Sequence, residues 1–135
     1  MIDAPTSKGL QDQGSPGSVR SFTTEPIPRP LTPLVGRALE TEATLAFLAN
    51  PDLRLLTLTG PGGVGKTRLA LRTASLVTEH ADWAVVFVNL SSVRDASLVR
   101  SAIAQALGVP VGDQSTLLSR LVTTIGDSQL LLVLD

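Results

Sequence analysis

The chain has no cysteine and a single histidine among its 135 residues. Without thiols there is no disulfide framework and no thiolate metal site. The lone His80 reads as a solvated residue at a helix end rather than as a ligand. Charge of one sign is not in excess. The net charge is -1 and the basic residues are scattered, so this segment has no electrostatic footprint for nucleic acid. No apolar run approaches the roughly 20 residues that span a bilayer. The N-terminus lacks an apolar signal core, so the expectation is a cytoplasmic chain with no membrane partner. What remains, 43% hydrophobic and 17% charged residues, suits one globular α/β core at most.

Residues 1–30 are rich in Gly, Pro, Ser, Thr and Gln and show no apolar periodicity. Such a stretch cannot bury enough surface to offset its ordering entropy, so it is expected to be a disordered leader. Order is expected over residues 31–135. A first helix is predicted over Ala38 to Ala49, with Leu39, Ala43, Ala46 and Phe47 at helical spacing and Leu45 and Leu48 widening the face. Asn50-Pro51-Asp52 ends it. The apolar run Leu53 to Thr59 then reads as a buried strand, and Arg68 to Val77 as a helix. Trp83 to Leu90 reads as a second strand, apolar nearly throughout, as parallel strands covered on both faces are. Helices follow from about Ala96 to Leu107 and from a Ser115 cap onward, the latter with Leu117, Leu118, Leu121, Val122 and Ile125 as its stripe. Leu130 to Leu134 forms a third strand. Strands alternating with helices argue a parallel sheet with flanking helices.

Between the first strand and its helix stands Gly60-Pro61-Gly62-Gly63-Val64-Gly65-Lys66-Thr67. This is G-x-x-x-x-G-K-[ST], and strand–glycine loop–helix is the context in which that spacing binds phosphate. A polyphosphate needs many donors converging on a small volume, and the backbone N–H groups of a tight loop supply them. Glycines at 60, 62, 63 and 65 keep that wall thin and permit positive φ. The helix starting at about Lys66 adds its free N–H groups and dipole. Lys66 brings a full charge to the β- and γ-phosphates. Thr67 offers a hydroxyl to Mg²⁺, a hard cation that takes oxygen ligands. The phosphate-binding set is therefore expected to be Gly60, Pro61, Gly62, Gly63, Val64, Gly65, Lys66, Thr67 and Arg68, and the expected ligand a nucleoside triphosphate or diphosphate with Mg²⁺.

The run Leu130 to Leu134 ends in Asp135, which is the second phosphate-site signature, the Walker B pattern. A buried strand carries its carboxylate to the edge of a parallel sheet, where ligands of such sheets bind. Thr67 and Asp135 are therefore the metal-side pair. No catalytic residue is assigned.

Three pieces occur together: Leu34-Val35-Gly36-Arg37-Ala38-Leu39-Glu40, the phosphate loop, and the acid-terminated strand. With Ala102-Ile103-Ala104-Gln105-Ala106-Leu107-Gly108 they resemble the nucleotide-binding domain of STAND-class P-loop ATPases, close to the NB-ARC group and to bacterial LuxR-type and related transcriptional regulators. The resemblance covers about residues 30 to 135. It implies that Leu34, Val35 and Arg37 line the adenine pocket. It also implies a slow ATPase that acts as an ADP/ATP switch, with protein partners engaged through C-terminal regions beyond this segment. The alternatives are a conventional P-loop ATPase that uses hydrolysis for work, and a truncated fragment without function. A fragment from the front of a larger protein is the expectation.

Overall fold

A computed structural model describes Phe22 and residues 26–135. The rest of the predicted leader lies outside the described residues. In chain order the elements are α1 (Ala38–Leu48), α2 (Lys66–His80), β1 (Ala84–Val88), a 3₁₀ turn (Ala96–Leu98), α3 (Val99–Ala106), α4 (Gln114–Ile125) and β2 (Leu130–Leu134).

β1 and β2 pair in parallel, with Ala84 opposite Leu130 and Val88 opposite Leu134. Their sequences, AVVFV and LLLVL, are apolar on both faces because helices cover both faces of the sheet. On one face Val86 and Val88 join Ala104 and Leu107 of the α3 region, Val109, and Leu117 and Leu121 of α4 in the main core. The alternation of side chains along a strand turns Phe87 and Val133 to the other face. There α2, which contacts both strands, buries Leu69, Leu71, Ala74 and Val77. The architecture is a small parallel sheet with flanking helices, as the alternation of strands and helices predicts.

Three expectations need correction. The run Leu53 to Thr59 makes no sheet ladder, and Leu55 is 78% exposed. A cleft of about 980 Å³ separates this segment from β2, with Leu53, Leu55, Leu56 and Leu58 on one wall and Leu130 to Leu134 on the other. A ladder needs neighbouring backbones about 4.8 Å apart, so an apolar run without such a neighbour stays extended but unpaired. The sheet among the described residues therefore has two strands rather than three.

The second correction concerns α1. Its buried residues are Thr41 and Thr44, whereas Leu39 is 78% and Phe47 54% exposed. The two threonines can face α2 because their hydroxyls donate to the carbonyls four residues back, Thr41 Oγ1 to Arg37 at 2.7 Å and Thr44 Oγ1 to Glu40 at 2.6 Å. A satisfied hydroxyl carries little burial penalty, so the apolar stripe did not decide the orientation.

The third is the start of α4. Asp113, not Ser115, is the cap: its carboxylate accepts from Ser115 Oγ at 2.6 Å and from the Ser115 backbone N–H at 3.0 Å. Those bonds, the hydroxyl's first and the backbone N–H second, hold the Asp113 carboxyl below the ordinary aspartate value of 3.8. A carboxylate with a lowered folded pKa contributes stability above its unfolded pKa, and that stability is lost as pH falls through the folded value. Asp113→Ala is therefore expected to lower the thermal midpoint at pH 7. The gap to wild-type should close as pH falls below 3.8. Melting both proteins at neutral pH and near pH 3 checks this; an equal gap at both would contradict it.

Candidate functional site

The loop between the extended segment and α2 is built on backbone geometry that glycine alone accepts easily. Gly60 has φ 149° and Gly65 has φ 90°. A side chain at Gly60 would also meet Val64 Cγ1 at 3.3 Å. Gly65 is the N-cap of α2 and adds no side-chain acceptor, so the first-turn N–H groups of this 15-residue helix keep their donor capacity. Gly60 to Val64 are exposed to solvent.

Lys66 curls back over the loop. Its Nζ donates to the carbonyl oxygens of Gly60 at 3.0 Å and Pro61 at 2.9 Å. The ammonium thus stands at the mouth of the loop, held by weak neutral acceptors that an anionic oxygen outcompetes. Next to it, Thr67 Oγ1 donates to Asp135 Oδ1 at 2.7 Å, across 68 residues of sequence. The two ends of the phosphate-site pattern are therefore in contact. α2 supplies the hydroxyl and the residue immediately after β2 supplies the carboxylate. Among the described residues there is no cluster of three or more His, Asp or Glu side chains suited to a metal. The hydroxyl–carboxylate pair offers two hard oxygens, which fits a cation that keeps several waters and takes phosphate oxygens, as Mg²⁺ does.

The Gly-Arg segment also reaches the loop. Arg37 Nη2 donates to the Val64 carbonyl at 2.8 Å, and Arg37 Nη1 pairs with Glu40 at 2.8 Å. Glu40 is held below its ordinary value of 4.5, first by a backbone N–H at the start of α1 and then by Arg37. Leu34 is half-buried, while Val35 is 83% exposed beside this junction. Arg68 is directed elsewhere: its Nη2 meets Thr32 and Pro33 rather than the loop. His80 is exposed at the end of α2, with Nδ1 donating to the Leu76 carbonyl at 3.0 Å.

Sequence reasoning missed Glu40 as the partner of Arg37, and Thr32 and Pro33 as partners of Arg68. The first had a signal, since an acid three residues after an arginine lies on the same helical face. The second had none, because its partners lie 35 and 36 residues away.

Comparison with known proteins agrees with this geometry. The family model described as an AAA domain matches residues 52–135. An uncharacterized protein of Mycobacterium tuberculosis is 38% identical over 107 residues, which is 79% of this chain and 27% of that protein. A second Mycobacterium tuberculosis protein, provisionally named an HTH-type transcriptional regulator, is 40% identical over 82 residues, 61% of this chain and 9% of the relative. An uncharacterized WD repeat-containing protein of Nostoc is 27% identical over 112 residues, 74% of this chain and 9% of its own length. The chain thus spans about a quarter of the length of the first of these relatives and less of the others. No solved structure is a significant match. By the family model that covers most of its length and ends on the acid that meets Thr67, the chain belongs to the AAA domain family of P-loop NTPases.

Proposed function

We propose that this chain is the nucleotide-binding module of a STAND-class signalling ATPase, close to the NB-ARC group, which binds ADP or ATP with Mg²⁺ and switches a transcription regulator. The observation that carries the reading is the 2.7 Å contact between Thr67 and Asp135 at the mouth of a glycine loop that also holds Lys66. The loop's N–H groups and the α2 N-terminus take the phosphates. Lys66 leaves the carbonyls of Gly60 and Pro61 for phosphate oxygens. Thr67 and Asp135 hold Mg²⁺, which neutralises phosphate charge. Leu34, Val35 and Arg37 meet the base, an assignment supported by the resemblance and by the Arg37–Val64 bond that seats this segment beside the loop. The relative named as an HTH-type regulator supports the transcriptional role. Protein partners are engaged through other parts of the full-length protein.

Calorimetric titration with ADP and ATP, with and without Mg²⁺, tests this. Wild-type is expected to bind both, and more tightly with Mg²⁺. Asp135→Asn keeps the shape and a neutral acceptor but loses the charge. It should abolish the Mg²⁺-dependent gain while leaving metal-free binding nearly intact. A wild-type chain that is folded and binds neither nucleotide would sink the proposal.

A further inference from the structure

We propose that Arg68 is a positioning residue that latches the segment 32–37 to the phosphate-loop helix, and thereby sets how the base of an adenine nucleotide is met. The inference rests on the reading of Leu34, Val35 and Arg37 as base contacts. Arg68 Nη2 lies 2.7 Å from the Thr32 carbonyl oxygen, 2.8 Å from Thr32 Oγ1 and 2.9 Å from the Pro33 carbonyl oxygen. Its Nε is buried and has no hydrogen-bond partner among the described residues. Among the described residues the guanidinium thus bonds to this segment and not to the loop. The three oxygens share the two N–H groups of one nitrogen, and a charged donor makes stronger hydrogen bonds than a neutral one.

The same segment is tied at its other end, where Arg37 Nη2 donates to the Val64 carbonyl at 2.8 Å. Residues 32–37 are thus held at both ends, one tie to α2 and one to the loop. Val35, 83% exposed, stands between them. On α2 the residue before Arg68 is Thr67, whose hydroxyl meets Asp135. One helical turn therefore carries the metal-side contact and the latch on adjacent residues. Releasing the latch leaves the phosphate donors in place and frees the base side.

The segment running into the latch, from Pro26 to Leu34, also walls a cleft of about 830 Å³ against α2 and Trp83. Trp83 is the only tryptophan of the chain and lines this cleft as well as the one beside β2. Arg68 lines only the first, so a change of emission on replacing Arg68 reads the seating of this segment without any ligand.

The experiment measures ADP and pyrophosphate affinities of wild-type, Arg68→Leu and Arg68→Lys, together with Trp83 emission of the free proteins. Wild-type should bind ADP more tightly than pyrophosphate. In Arg68→Leu the ratio of the two affinities is expected to fall about tenfold, the scale of one lost charge-assisted bond. Arg68→Lys should restore part of it, and Trp83 emission should move to the red in the leucine variant. Equal losses for ADP and pyrophosphate with unmoved emission would overturn the latch and make Arg68 a phosphate contact. An unchanged ratio with wild-type-like affinities would overturn it also. A wild-type chain that binds pyrophosphate but prefers ADP not at all removes the base contacts on which the latch depends. One that binds neither removes the phosphate site itself. Both outcomes are visible before any variant is made, so failure of the site and failure of the latch are distinguishable.

Discussion

Lys66→Ala is expected to abolish nucleotide binding, with ADP affinity falling about a hundredfold or more. The lysine stands at the mouth of the loop with a full positive charge, its Nζ 2.9 to 3.0 Å from two loop carbonyls, while the other cation at the loop, Arg37, is engaged with Val64 and Glu40. Moving onto phosphate, it exchanges neutral acceptors for anionic ones. A hydrogen bond to a charged group is worth roughly 1.5–3 kcal/mol, and two such contacts amount to two or more powers of ten in affinity. The loop glycines and the α2 N-terminus remain in the variant, but they supply partial charges only. The fold should survive, because Lys66 starts α2 at a solvent-open edge and alanine is a good helix former. Calorimetry decides the matter. ADP affinity unchanged in a folded Lys66→Ala chain would rule out binding through this loop.

The candidate site was legible as a pattern because its residues are local in sequence. Eight consecutive residues specify the loop, and an apolar run ending in Asp135 specifies the acid. Only the 68-residue separation hid their contact, and the alternation of strands and helices was enough to imply that both lie at one edge of the sheet. What the sequence hid was long-range or small in energy. The run Leu53 to Thr59 has every mark of a strand, yet pairing depends on a neighbouring backbone, which no local pattern supplies. The orientation of α1 was decided by two threonines whose hydroxyls find partners within their own helix, a balance that apolar counting does not weigh. Asp113 displaced Ser115 as the cap of α4 by two residues, within the ordinary uncertainty of helix ends but with a definite cause in its carboxylate bonds. The Arg68 latch joins residues that no periodicity connects.

The second large effect should come from the core rather than the loop. Leu117→Ala is expected to destabilise the chain by about 3–5 kcal/mol, whereas Leu118→Ala, its neighbour in the same predicted stripe, should change stability by about 0.5 kcal/mol or less. Leu117 is fully buried against Val86, Val88, Ala104, Leu107 and Leu121, while Leu118 is 54% exposed. Truncating Leu117 removes apolar contacts and leaves a hole in the core where α4 packs on α3, which in turn packs on β1. Small domains are stable by only about 5–15 kcal/mol, so this loss consumes a large part of the total. Urea unfolding of the two variants measures it, and a Leu117 cost no larger than that of Leu118 would contradict the packing described. The consequence reaches the site. Leu130 and Leu132 of β2 pack on the same cluster, and β2 is the strand that delivers Asp135 to Thr67. A loosened α4 should therefore weaken the Mg²⁺-dependent part of nucleotide binding more than the metal-free part. The loop and Lys66 rest on α2, on the opposite face of the sheet from the cavity.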